Sequence, residues 1–376
     1  MSDGTKIEWT DATWNPVTGC WIVSPGCANC YAMKLAGTRL KHHPTRVGLT
    51  VDSKAGPVWN GEVRFNDKAL LEPLRWRRPR MIFVCAHGDL FAEQVPDAWI
   101  DQVFAIMALC PQHSFQVLTK RPARMRAYLG DARFELRLNG IIWSTLGTKV
   151  GSKIHHGGNW RAKLPLPNVW LGTSVEDQKR ADERIPELLA TPAAVRFISA
   201  EPLLGPVDVR KFMWPVHARW PGQFNSPQAA ISAGAEVTYH LQALVSAHAR
   251  FLDWVIVGGE SGVGARPMHP DWARSLRDQC AAAGVAYFFK QWGAWSPGEN
   301  TTGPSAASER GAWRTDDGWH YRDVGRRESE AMHHDDAPDL WRLGRKAAGR
   351  LLDGVEHNAM PNATLLNANH TGRGRE

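Results

Sequence analysis

Three of the six cysteines of this 376-residue chain lie within eleven positions, and this cluster constrains the chain more than any other feature. Cys20, Cys27 and Cys30 are spaced C-x6-C-x2-C, with glycine and proline between them to turn the backbone. Cysteines that only fill a core rarely gather in a loop of this kind. The spacing therefore predicts a shared role for the three thiols, most simply the binding of a metal.

Two metal chemistries are consistent with three such thiols. Zinc takes a tetrahedral set of nitrogen and sulfur ligands, so it would require a fourth ligand, for which His42 or His43 is nearest along the chain. An iron-sulfur cluster is normally held by four thiolates. A cluster held by three keeps one iron open for another molecule, such as S-adenosylmethionine (SAM). The spacing alone leaves both chemistries open.

Length and composition set broader limits. The chain is long enough for two or three domains, or for one large α/β barrel. It contains no apolar run near the ~18 residues of a membrane span, and its polar N-terminus lacks a signal-peptide core. These features predict a cytoplasmic protein without membrane contact, whose reduced cysteines bind metal rather than form disulfides. The net charge of +7 makes nucleic acid an expected partner.

Beyond the cysteine cluster, apolar runs alternate with helical patterns. A short strand precedes the cluster and a helix over residues 28–40 follows it. Near-continuous apolar strands that alternate with helices are typical of a parallel sheet covered on both faces. The predicted strands after the cluster span 81–85, 114–119, 169–174, 195–200, 254–257 and 285–289, and the helices between them span 96–109, 123–129, 177–189 and 270–283.

Polar residues follow directly on the ends of these strands. In a (β/α) barrel such positions meet at one mouth, which is the active site, whereas a doubly wound sheet concentrates them at one switch point. Six strands after the cluster and one before it predict a partial or near-complete TIM-type (β/α) barrel over 1–293. Inserted loops are expected near 139–166 and 206–250, a small extension packing on the barrel at 294–360 with a hairpin around Trp313 to Tyr321, and a disordered tail at 361–376.

Several motifs together resemble one known family. They are the stretch from Lys6 to Cys20, the Cys27/Cys30 pair, Leu118–Pro122, Val257–Gly262 and Gly344–Gly354. These stretches look like the phage and prophage three-Cys-motif family, which is similar to radical SAM enzymes and spore photoproduct lyase-like proteins. Two departures are visible: radical SAM motifs usually read C-x3-C-x2-C, and Asn29 replaces the usual aromatic residue, with Tyr31 one place beyond the last cysteine.

The resemblance implies a barrel of radical SAM type that binds a [4Fe-4S] cluster through Cys20, Cys27 and Cys30. The cluster and an external electron donor would cleave SAM to a 5′-deoxyadenosyl radical, which abstracts a hydrogen from the substrate. The expected role is phage-associated modification or repair of nucleic acid or nucleotides, with a phage-encoded partner protein.

The radical SAM interpretation assigns roles to individual residues. Lys120, Arg121 and Lys290 are expected to bind an anionic substrate. The residues expected to hold the cofactor are Tyr31, Asp89, Thr173, Ser199, Glu201 and Glu260. Two alternatives stay open: a zinc-stabilised, non-catalytic nucleic-acid-binding protein, and a degenerate barrel in which the cluster is only structural.

Overall fold

The computed structural model describes residues 4–143, 162–213, 251–300, 308–325, 332 and 339–361. Most of the two predicted inserts lies outside the described residues. The predicted disordered tail does so too beyond residue 361.

The described elements are short strands and medium-length helices. In chain order the strands are β1 (Ala12–Trp14), β2 (Val17–Thr18), β3 (Thr50–Ser53), β4 (Gly56–Trp59), β5 (Arg64–Phe65), β6 (Met81–Val84), β7 (Ser114–Thr119), β8 (Val169–Ser174), β9 (Val195–Ala200), β10 (Trp254–Gly258), β11 (Ala286–Gln291), β12 (Trp295–Ser296), β13 (Ser308–Thr315), β14 (Gly318–Gly325) and β15 (Leu340–Arg342). The α-helices are α1 (Tyr31–Gly37), α2 (Asp67–Leu70), α3 (Asp97–Leu109), α4 (Pro122–Leu129), α5 (Phe134–Ile141), α6 (Gln178–Ala190), α7 (Pro270–Ala283) and α8 (Arg345–Ala348).

One seven-stranded sheet organises the fold, with strand order β1-β6-β7-β8-β9-β10-β11. The pairs β1–β6, β6–β7, β7–β8 and β10–β11 run parallel. Neighbouring strands of this sheet are also consecutive in the chain, except that the small strands β2–β5, which belong to other sheets, come between β1 and β6 in sequence. Because the order never reverses, the sheet has no switch point of the doubly wound kind. This mixed α/β architecture is compatible with the predicted partial barrel.

The strands form where the sequence is apolar on both faces. Every residue of β8 and of β10 is buried, as expected for parallel strands covered on both sides. The helices carry ordinary end signals: α7 begins at Pro270, where the missing N–H costs nothing, and ends before Gly284, whose φ of +66° suits a left-handed cap. The strands predicted at 114–119, 169–174 and 195–200 and the helix at 270–283 are confirmed at both ends.

The helix after the cysteines begins later than predicted. The sequence pattern indicated a helix from Ala28, but α1 begins at Tyr31. The preceding residues form tight turns instead, in which the Ala28 and Cys30 amides donate to the carbonyls of Pro25 and Cys27. Proline and glycine at positions 25 and 26 favour this turn over a regular helix.

The described chain divides into two compact units. The first contains the residues up to Ser174 together with Pro186–Phe197. The second contains Val175–Ile185 and the described residues from Ile198 to Pro361. The second unit carries a four-stranded sheet, β12-β15-β13-β14, and its β13–β14 pair confirms the predicted hairpin. The domain limits drawn from the sequence stay a prediction.

Across the described ranges, no helix combines the length and the apolar character needed to cross a bilayer.

Candidate functional site

The three clustered cysteines lie on one loop between β2 and α1, which we call the cysteine loop (residues 19–30). Pro25–Cys27 form a 3-10 turn, in which the Cys27 amide donates to the Ser24 carbonyl at 2.9 Å. Cys27 is buried, whereas Cys20 and Cys30 are half-buried, and all three are free thiols. The sulfur atoms are therefore presented by one short, internally hydrogen-bonded segment.

Two glycines hold the cysteine loop against the end of β6. The Gly19 amide donates to the His87 carbonyl at 3.2 Å, and Gly19 forms a parallel bridge with Gly88. Gly19 has a φ of +94°, and a Cβ on it would lie 2.1 Å from the Glu62 carbonyl oxygen. A Cβ on Gly88 would lie 2.9 Å from the Gly19 carbonyl oxygen. Only glycine permits this approach of two backbones.

Arg121 connects Cys20 to two carboxylates. Its Nη1 donates to Cys20 Sγ at 3.7 Å and to Asp89 Oδ2 at 3.0 Å. Its Nε donates to Glu93 Oε2 at 2.7 Å, and its Nη2 donates to the Trp21 carbonyl at 3.1 Å. The sequence predicted a substrate-binding residue here. In the structure Arg121 is buried, and all three of its nitrogens bind protein atoms.

The carboxylate of Asp89 links the end of β6 to the end of β7 by hydrogen bonds. Besides the arginine, its carboxylate accepts hydrogen bonds from Thr119 Oγ1 at 2.7 Å and from the amides of Phe91 and Lys120 at 3.0 and 3.1 Å. Thr173, at the end of β8, donates its hydroxyl to the Thr119 carbonyl at 2.9 Å. Asp89 and Thr173 are buried. Both predicted cofactor residues therefore fix strand ends relative to one another.

The cysteine thiols influence one another electrostatically. Burial, together with the negative charges of Asp89, Cys30 and Cys27, raises the pKa of the Cys20 thiol to about 12, although the nearby Arg121 cation lowers it. The three sulfurs thus lie within electrostatic range. A thiolate is the form that binds metal, so a bound metal cation would favour the ionised form of Cys20.

Sequence reasoning missed two residues beside the cysteine loop. Arg46 donates from Nη2 to Nδ1 of His87 at 2.5 Å, and the His87 ring meets the edge of the Tyr31 ring at a centroid distance of 6.1 Å. Tyr31, predicted to bind the cofactor, is 55% exposed and donates its hydroxyl to the Ala86 carbonyl. His87 precedes Asp89 by two positions at a strand end, which is a usable signal. Arg46 lies in a loop with no sequence pattern that marks it.

The described part of the chain does not show a compact metal site. Within the described ranges, no three His, Cys, Asp or Glu side chains are close enough together to hold a metal ion. His43, one of the two predicted zinc ligands, is exposed and hydrogen-bonds through Nδ1 to Thr45 Oγ1 at 2.8 Å. His42 is exposed on the same turn.

The donor chemistry around the cysteine loop nevertheless fits an iron-sulfur cluster. Three reduced thiols share one loop, and a guanidinium N–H reaches the Cys20 sulfur. Apolar side chains, including Met33 and Trp59, pack behind Cys20 and Cys30. Hydrogen bonds to sulfur and burial are the features by which proteins tune such clusters. On the chemistry of the donor set, the residues fit the cluster.

A second polar group belongs to the other unit and lies at the ends of β9, β10 and β11. Lys290 Nζ lies 3.0 Å from Glu201 Oε1, and Ser199 Oγ lies 3.2 Å from Glu201 Oε2. A Cβ on Gly258 would lie 2.4 Å from the same glutamate, so glycine makes room for its carboxylate. Lys290 is the last residue but one of β11, two positions earlier relative to the strand end than the sequence predicted.

Glu260 is paired with Arg266. Its carboxylate accepts hydrogen bonds from the backbone amide, Nε and Nη2 of Arg266, at 2.9, 2.9 and 2.6 Å. The side chain of Glu260 is 5% exposed, whereas that of Arg266 is 31% exposed. Of the cofactor residues predicted in this unit, Ser199 and Glu201 therefore lie together, and Glu260 forms a separate ion pair.

The fold and the site define an α/β protein with a sequentially ordered parallel sheet and a three-cysteine loop fixed to the end of one of its first strands. The chain belongs to the family described as "Protein of unknown function (DUF5131)", whose profile matches residues 4–361. No curated protein and no solved structure matches the chain.

Proposed function

We propose that this protein is a radical SAM-type enzyme whose [4Fe-4S] cluster is held by Cys20, Cys27 and Cys30. The observation that carries the proposal is the cysteine loop itself. It presents three free thiols at the C-terminal end of a parallel strand, and one of them receives a hydrogen bond from a buried arginine. The C-terminal ends of strands are where barrel enzymes place their chemistry.

When bound, the cluster would supply the electron that cleaves SAM to a 5′-deoxyadenosyl radical. The residues of the chain would bind and orient the cofactor and the substrate, and would exclude water from them. Arg121 would hold the Cys20 sulfur and the carbonyl of Trp21 in place, since it donates to both. Asp89 would keep that arginine oriented. Tyr31, exposed directly after Cys30, offers an aromatic surface beside the loop.

The proposed substrate is a nucleic acid or a nucleotide. Support comes from the net charge of +7. A basic run with exposed Arg77 and Arg78 directly precedes β6, at the opposite end of that strand from the cysteine loop, and would contact a nucleic acid away from the site. If the substrate is a nucleic acid, binding of a fluorescent single strand should weaken steeply with salt, because each phosphate contact releases counterions.

The decisive experiment is anaerobic purification, followed by iron, zinc and sulfide analysis and by low-temperature EPR of the reduced protein with and without SAM. We expect iron together with sulfide, and an EPR signal that SAM perturbs. Loss of the signal in Cys20→Ala should contrast with its retention in Cys280→Ala, because Cys280 is a fully buried cysteine of α7, away from the loop in sequence.

Two results would contradict the proposal. Zinc without a visible chromophore, even after reconstitution with iron and sulfide, would favour the zinc-stabilised binding protein. A cluster whose EPR signal is unchanged on addition of SAM would favour the degenerate barrel with a structural cluster.

A further inference from the structure

Both backbone groups of His87, which follows β6, form hydrogen bonds. Its amide donates to Asn15 Oδ1 at 2.9 Å, and its carbonyl accepts from the Gly19 amide. Cys85, two residues earlier, has a φ of +57°, a left-handed conformation that is uncommon for a residue other than glycine. This backbone turn fixes where the half-buried imidazole stands, next to the ring of Tyr31.

The contact with Arg46 determines which imidazole nitrogen carries the proton. A guanidinium offers only N–H donors, so Nδ1 of His87 must be the acceptor of the 2.5 Å contact. A neutral imidazole has one acceptor and one donor, so the proton resides on Nε2. Burial and the charge of Arg46 lower the pKa of His87 to about 4, which agrees with a neutral ring at pH 7.

The donor that results has no partner in the part of the chain that the structure describes. His87 Nε2 forms no hydrogen bond there, and the ring is partly exposed beside Tyr31. A polar N–H left open at the C-terminal end of a parallel strand, beside the cysteine loop, is available to a bound molecule.

Arg46 indicates the charge of that molecule. It is 6% exposed, no acidic side chain of the described chain pairs with it, and its Nε is buried without a hydrogen-bond partner. The titratable groups that act on it are Arg64, Cys85 and Tyr31, of which only Arg64 is charged at pH 7. Burial together with Arg64 lowers the pKa of Arg46 to about 10, so it stays cationic at pH 7. A buried cation without a counterion is costly, and a nearby anion reduces that cost.

We propose that His87 is a neutral hydrogen-bond donor that binds an anionic oxygen of a molecule held beside the cysteine loop. Arg46 is its positioning residue: it fixes the tautomer and supplies the positive charge behind the ring. Such an oxygen belongs either to the carboxylate of SAM or to a carboxylate or phosphate of the substrate. The first of these sources rests on the function proposed above, whereas the tautomer and the anion site do not.

Nitrogen NMR of protein labelled with ¹⁵N-histidine tests the site without metal or SAM. At pH 7 we expect His87 to be protonated on Nε2 alone, and its signals to move saturably on addition of inorganic phosphate at constant ionic strength. His113, whose Nε2 contacts the Pro73 carbonyl at 3.2 Å, serves as the internal reference that phosphate leaves unchanged. In Arg46→Met the phosphate response should disappear and the second tautomer should appear. A wild-type ring protonated on Nδ1, or one that ignores phosphate, would overturn the proposal.

Calorimetry on the anaerobically reconstituted protein then separates the two sources of the anion. If SAM provides it, His87→Leu should weaken SAM binding about tenfold or more, the loss expected for one hydrogen bond to a charged group. His87→Gln, which keeps an N–H donor, should restore most of the affinity, and decarboxylated SAM should bind His87→Leu and wild type equally. If the substrate provides it, all variants bind SAM alike and the phosphate response survives saturation with SAM.

Failure of the two proposals can be told apart. If SAM does not bind even to wild type while the phosphate response stands, the proposed function fails and the anion site remains. If SAM binds normally and the NMR response to phosphate and SAM is absent, the role of His87 fails alone.

Discussion

The ion pair between Arg121 and Asp89 offers the sharpest test of how the cysteine loop is held. Their nitrogen and oxygen lie 3.0 Å apart, and the two side chains are 5% and 7% exposed. Arg121→Met fills similar space but leaves the buried carboxylate of Asp89 without its ion-pair partner. Breaking a buried pair in this way costs about 3–5 kcal/mol. Asp89 keeps three other hydrogen bonds, so the lower end, about 3 kcal/mol, is expected.

Urea unfolding of the reduced protein, followed by tryptophan fluorescence and circular dichroism, measures this loss. The matched control is Arg126→Met, because Arg126 pairs with Glu187 at 3.2 Å with side chains 53% and 30% exposed. An exposed pair contributes less than about 1 kcal/mol. Asp89→Asn combined with Arg121→Met should recover part of the stability, since no charge is then left unpaired. If Arg121→Met destabilises the protein no more than the control does, the burial argument is wrong.

Two further predictions concern other parts of the chain. Gly259→Ala should destabilise the protein by about 1–3 kcal/mol or more in the same unfolding assay, because its Cβ would lie 1.9 Å from the Trp292 carbonyl oxygen. The control is Gly140→Ala, which adds a Cβ in open space within α5 and should be neutral or stabilising by up to about 1 kcal/mol. Equal effects of the two substitutions would refute the steric argument. Hydrogen bonds from Arg210 lower the pKa of Asp208 to about 2, so the small stability that it contributes should be full above pH 3.8 and lost as the pH falls towards 2. Carboxyl NMR titration checks this, and Arg210→Ala should return the pKa towards 3.8; an unchanged midpoint would assign the shift to another cause.

Much of the fold could be read from local pattern. Continuous apolar runs bounded by turn residues located the six strands of the seven-stranded sheet that follow the cysteine loop to within about two residues, because a parallel strand must be apolar on both faces. The count of one strand before the cysteine cluster and six after it is confirmed. Helix ends were less certain where turn chemistry intervened, as at Ala28, since periodicity does not register a competing 3-10 turn.

The sequence located the strand-end polar residues but did not determine their partners. Arg121 and Lys290 both read as open cations, yet one is bound to Asp89 and Glu93 and the other to Glu201. Whether a charge is free or paired depends on contacts between residues far apart in the chain, which no local pattern records.

What the sequence determined by itself was the alternation of strands and helices and the position of three thiols on one loop. Both follow from properties of neighbouring residues: apolar periodicity, and glycine and proline between cysteines. Only the tertiary structure decided that Arg46 stands behind His87, forty-one residues away, and fixes its proton on Nε2. A tautomer is set by whichever donor or acceptor the fold brings to the ring, so it is a property of the folded site and not of the segment that carries the histidine.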